Sequence, residues 1–191
     1  MLAVIGGAGM FMVAKHRQST TYIAERSVII SHRINESQLN RENNQDPIIN
    51  ADLNMMQTYT DIVQDEQVAQ AAKKYLPKKI RKQYSANEIS HDVDAISHPQ
   101  SLVMKIRVKS DNKDNSVVLV NAVARGLKEE LSHLQPGAGN VKLLAKATTD
   151  NVDSNTTPNK KKFVAMGLAL GGLLGIVISF VAITWKKYVV K

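Results

Sequence analysis

The 191-residue sequence predicts an α+β fold: a small sheet with two packed helices, flanked by two transmembrane helices. Three observations predict it. Phe163 to Trp185 runs 23 residues without a charge. Leu102 to Lys109 alternates with period two, as a strand with one apolar face does. Val117, Val120, Ala124, Leu127, Leu131 and Leu134 recur at steps of three and four, the spacing of an amphipathic helix.

The elements follow in order. Met1 to Ala14 (MLAVIGGAGMFMVA) is apolar but covers only ~21 Å at ~1.5 Å per residue, short of a hydrocarbon core of ~30 Å. No basic segment precedes it and no small-x-small cleavage site follows, so it reads as the later portion of a first transmembrane helix rather than a signal peptide. Thr21 to Ser31 (TYIAERSVIIS) is rich in β-branched and aromatic residues and reads as a strand. Arg33 to Asn50, with Asn43-Asn44 and Asp46-Pro47, reads as a loop. Asp52 to Leu76 carries apolar residues at helical spacing, and Pro77 would end that helix. Lys78, Lys79, Arg81 and Lys82 form a basic run that reads as a solvated face or a contact for an anionic polymer. Ser85 to Glu88 matches a capping box. His91 to Ile96 and Leu102 to Lys109 read as paired strands joined by a turn at His98–Ser101. A helix ending at Pro136-Gly137 follows, then a short strand at Val141–Ala145 and a polar tether at Asp150–Thr157.

The second apolar run covers roughly 34 Å, enough to cross a bilayer. Lys160–Lys162 flank one end, and Trp185, Lys186, Lys187 and Tyr188 the other, an interfacial pattern. Within it Gly167, Gly171 and Gly175 form two overlapping GxxxG steps, which let helices approach closely in lipid.

Charge placement excludes a nucleic-acid reading of the +8 net charge. All 17 acidic residues and 17 of the 25 basic ones lie between Gln18 and Pro158, so that stretch is neutral. The excess sits beside the apolar blocks, where lysine and arginine snorkel toward anionic lipid. Cysteine is absent, which excludes disulfides and thiolate metal sites.

Catalytic patterns are sparse. None of His16, His32, His91, His98 and His133 falls in a close metal-binding pair. His91 with Asp92 and Asp94 is the best local candidate, yet neighbouring strand residues face opposite ways. Asp61, Asp65 and Glu66 read as a solvated helix face. Gly6-Gly7-Ala8-Gly9 lies in an apolar segment and follows no strand, so helix packing accounts for it better than a phosphate loop. The expectation is a non-enzymatic protein without cofactor or metal.

The stretches TYIAERSVII, LNMMQTYTDIVQDEQVAQAAKKYL, SLVMKIRVKSDNKDNSVVLVNAVARGLKEEL and TTPNKKKFVAMGLALGGLLG, in this order and spacing, resemble the polysaccharide chain-length determinant (co-polymerase) family. Within that family the chain looks most like the transmembrane activators of Gram-positive capsule and exopolysaccharide systems. It differs from their pattern in lacking a basic segment before the first membrane helix. Before the second, Pro158-Asn159 stands where the family carries several prolines. The resemblance implies four regions: residues 1–14 as a partial first transmembrane helix, 15–157 as an extracytoplasmic domain, 158–185 as the Pro158-Asn159 turn with transmembrane helix 2, and 186–191 as a cytoplasmic tail. It implies a multi-pass plasma-membrane scaffold that forms homo-oligomers and sets polymer length beside a membrane polysaccharide polymerase, in contact with lipid and the growing polysaccharide. It also implies activation of a cytoplasmic tyrosine kinase, with Lys186, Lys187 and Tyr188 as contact candidates. Two rivals stand beside it: an adaptor whose main role is kinase activation, and a membrane-tethered cell-wall glycan enzyme.

Overall fold

The computed structural model describes residues 2–32 and 45–188. The chain divides into two compact units, Thr21–Ser154 and a second made of Met1–Thr20 with Asn155–Lys191.

The first unit holds most of a five-stranded antiparallel sheet. Its strands are β1 (Ser19–Ser31), β2 (Val93–Ser97), β3 (Val103–Ser110), β4 (Asn140–Leu143) and β5 (Val152–Thr157), ordered β2-β3-β1-β4, with β5 also pairing β1. β1 runs antiparallel to β3 (Val28 opposite Met104) and to β4 (Ile30 opposite Val141), and β2 antiparallel to β3. The β2–β3 turn closes with the Ser101 amide donating to the His98 carbonyl, where the sequence places it.

Strand periodicity decides which face is covered. Ala24, Arg26, Val28 and Ile30 of β1 are buried, as are Met104, Ile106 and Val108 of β3. The alternate positions, Glu25, Ser27 and Ile29, are only half-buried. The long helix α6 (Lys113–Leu134) covers the buried face with Leu119, Val120, Val123, Leu127 and Leu131. Each such side chain, fully buried, contributes about 1.5–3 kcal/mol. Asn112 caps this helix, its side chain accepting from the amides of Asp114 and Asn115, worth about 1 kcal/mol.

Four further helices complete this layer: α2 (Gln45–Val63), α3 (Glu66–Lys73), α4 (Lys78–Gln83) and α5 (Ala86–Asp92). Here the structure corrects several expectations. The expected loop at Arg33–Asn50 lies outside the described residues at 33–44, but from Gln45 onward the chain is helical. Pro47 sits in the first turn of α2, where its missing N–H costs nothing. The single helix expected from Asp52 to Leu76 is two helices. Asp65 breaks it by capping α3, its carboxylate accepting from the Gln67 amide at 2.7 Å. The basic run falls on α4, with Lys78, Lys79, Arg81 and Lys82 all exposed. The Ser85–Glu88 capping box is present in both directions. It carries α5 through His91 and Asp92, so these two close a helix and β2 begins only at Val93. The polar tether at Asp150–Thr157 is a short 3-10 turn (Thr149–Asn151) followed by β5. Its polar residues are those of an edge strand, which alternation of apolar residues does not reveal.

The second unit pairs α1 (Leu2–His16) with α7 (Lys160–Tyr188). Lys160–Trp185 is long and apolar enough to cross a membrane, with a mean hydropathy of 2.4, and is mostly exposed. Leu173, Leu174, Ile176 and Ile178 are exposed on different sides of α7, as lipid-facing side chains are. Among the described residues this is the one helix that is both long and apolar enough to do so. The 15-residue α1 spans ~22 Å as a helix.

Candidate functional site

Two places combine unusual chemistry with defined geometry. The first is the α1–α7 pair. A Cβ built on Gly167 would lie 2.5 Å from the Gly6 carbonyl oxygen, and one on Gly6 would lie 2.6 Å from the Gly167 oxygen and 3.1 Å from the Gly171 Cα. The two backbones touch, which only glycine permits. Gly175 lies one turn further along, lining a groove with Ala3, Gly171 and Ile176. The first glycine-rich segment, Gly6-Gly7-Ala8-Gly9, thus supplies the counterpart of the second. Pro158 and Asn159 join β5 to α7, and the Asn159 side chain accepts from the Lys161 amide at 3.1 Å. The backbone of Lys186, Lys187 and Tyr188 ends α7, and their side chains lie outside the described residues. At the opposite end of this unit, the Thr20 and Thr156 hydroxyls are 3.0 Å apart, joining the start of β1 to the end of β5.

The second place is a cavity of about 250 Å³ between β1, α6 and the segment after β4. Arg26 lines it from the core face of β1, with only 5% of its surface exposed. Its partners are two neutral backbone carbonyls, Asn121 at 3.4 Å and Leu144 at 3.2 Å. Its buried Nε has no acceptor among the described residues. Burial, and then the neighbouring Arg125, lower its pKa from the ordinary arginine value. Arg125 and Lys146 line the same cavity, and both are exposed at its mouth. Arg125 lies over the Tyr75 ring, 5.4 Å from its centroid, a cation–π contact.

The cavity wall is held from within. The Asn121 side chain donates to the Val117 and Ala147 carbonyls at 2.9 and 3.0 Å and accepts from the Ala147 amide at 3.1 Å. The segment bearing Lys146 is thereby fixed to α6. On α6 as well, Glu129 accepts from Lys74 at 2.5 Å and from the Tyr75 hydroxyl at 2.9 Å. Those two bonds lower the Glu129 pKa. Among the described residues, none of Arg26, Arg125 and Lys146 forms an ion pair.

Sequence reasoning missed this cavity, although two signals pointed to it. In TYIAERSVIIS, Arg26 falls in phase with Ala24, Val28 and Ile30, so the alternation that marks the strand also marks a cation on its core face. Asn121 and Arg125 stand four residues apart on the same flank of α6. The histidine–carboxylate candidate dissolves by contrast: among the described residues His91 exchanges a hydrogen bond with no acidic side chain, and its Nδ1 meets the Asn87 carbonyl at 2.9 Å. Among the described residues there is no cluster of three or more metal-ligating side chains.

No family model matches the chain, and no curated protein matches it.

Proposed function

We propose that this protein is a membrane scaffold that regulates the chain length of a capsular or exported polysaccharide and activates a cytoplasmic tyrosine kinase through its tail. The observation that carries the reading is the arrangement of the chain around one sheet. β1 follows α1 after two residues, β5 leads into α7 after two more, and Thr20 meets Thr156 where these strands pair. A domain whose first and last strands adjoin is suited to hang from two neighbouring membrane helices. The four sequence stretches that resemble the chain-length determinant family fall on β1, on α2–α3, on β3–α6 and on the β5–α7 junction, which supports the same reading. In it, α1 and α7 anchor the protein in the plasma membrane, the Thr21–Ser154 unit faces outward, and copies of the chain assemble beside the polymerase. Apolar α7 side chains meet lipid, and Lys186, Lys187 and Tyr188 face the kinase.

The test is the size distribution of the polysaccharide in cells with and without the gene. The expected result is a shifted length distribution at unchanged sugar composition. An unchanged distribution overturns length control. Removal of Lys186–Lys191 is expected to abolish kinase autophosphorylation and leave the outer unit folded.

A further inference from the structure

Arg26 poses a problem that the fold does not solve. A guanidinium carries five N–H donors and a fixed charge. Two of its groups meet carbonyls at the long end of hydrogen-bond distance, Nε meets nothing, and no carboxylate balances the charge among the described residues. Burying an uncompensated charge is expensive, and buried cations are accordingly paired. A purely structural role at this position would be filled better by an apolar residue, since Ala24, Val28 and Ile30 on the same face pack well. Two more cations, Arg125 and Lys146, converge on the same cavity, without an acidic partner among the described residues. Asn121 makes two bonds to Ala147, beside Lys146, and so holds that wall in place.

We propose that this cavity is an oxyanion-binding site, in which Arg26, Arg125 and Lys146 hold the carboxylate or phosphate group of a ligand about the size of one sugar ring. Arg26 supplies a fixed, desolvated charge from the floor, where a charge-assisted bond is strongest. Arg125 and Lys146 attract the anion at the mouth and close over it. The volume of about 250 Å³ admits a single acidic sugar unit or a phosphate. Tyr75 offers a ring face at the rim, already oriented by its hydroxyl bond to Glu129. The site stands on this geometry and does not depend on the polysaccharide reading.

The test uses the full chain in detergent micelles at constant ionic strength. Thermal unfolding is followed against millimolar inorganic phosphate, D-glucuronate and D-glucose, with sodium chloride as the matched control. The expected result is a saturable rise in Tm of roughly 2–4 °C with phosphate, with glucuronate or with both, and none with glucose. A response to phosphate alone identifies a phosphate-bearing ligand, and a response to glucuronate alone a carboxylate-bearing one. Arg125→Gln with Lys146→Gln changes only exposed side chains and is expected to fold normally while weakening anion affinity at least tenfold. Arg26→Met is expected to abolish the response while unfolding, in anion-free buffer, no lower than the parent. The proposal is overturned by an absent or non-saturable response to both anions, by an equal response to glucose, or by a response that survives these substitutions. A Tm for Arg26→Met well below the parent in anion-free buffer also overturns it, because Arg26 would then be a structural group with its needs already met.

Discussion

At the scale of single residues, the described buried polar side chains of the Thr21–Ser154 unit divide into those whose partners are complete and one whose partners are not. Half-buried Glu129 is satisfied too, bridging Lys74 and Tyr75. The donated bonds favour its ionised form and hold its pKa below the ordinary glutamate value, while the same contact raises that of Lys74. A carboxyl depressed on folding stabilises the fold above its unfolded pKa, and that contribution disappears as pH falls through the folded value. Carboxyl-carbon NMR is therefore expected to show Glu129 titrating at lower pH than the exposed glutamates, and Lys74→Met to move it back up. A normal titration in the parent would mean that the bridge does not persist in solution. Asp52, only 3% exposed, is likewise satisfied, accepting from the His32 amide at 2.9 Å and contacting the His32 Nδ1 at 2.7 Å. Among the described residues, Arg26 alone combines deep burial with an unfilled donor.

At the scale of elements, helix packing rests on close backbone approach. A Cβ on Gly126 would lie 2.5 Å from the Val68 carbonyl oxygen and 2.8 Å from the Ala72 amide, so α3 presses directly on α6. Neither atom is the end of a flexible side chain, and the helices must separate to admit a methyl group. Gly126→Ala is expected to cost about 1–3 kcal/mol despite alanine's better helix propensity, measured by urea unfolding; an unchanged midpoint would show that the layer yields freely. The sequence made the long periodic elements legible. α6, β1, β3 and α7 each carry an uninterrupted pattern, and the Ser85–Glu88 capping box announced α5. What stayed hidden depended on local competition. Asp65 lies inside a continuous helical pattern, and only its carboxylate, taking up the Gln67 amide, divides α2 from α3. β5 is hidden because strand pairing, not burial, holds Val152–Thr157, whose residues are mostly exposed. The cavity was hidden because its three cations come from β1, α6 and the segment after β4, which only the folded sheet brings together.

At the scale of the whole molecule, the core and the apolar helices are separate constructions. Every residue of the main hydrophobic cluster, from Ala24 to Val141, lies within the Thr21–Ser154 unit. A fragment of residues 21–154 is expected to unfold cooperatively in aqueous buffer without detergent, measured by circular dichroism. Gradual loss of signal would mean that the core needs the apolar helices to close. In the other unit, the exposed apolar side chains of α7 form the kind of surface that lipid or further helices cover. The meeting of Thr20 with Thr156 has a mechanical consequence. Tension drawing α1 and α7 apart loads the start of β1 and the end of β5 at the same point, so the two strands separate bond by bond rather than sliding as a block. The junction is thus loaded as a zipper rather than in shear.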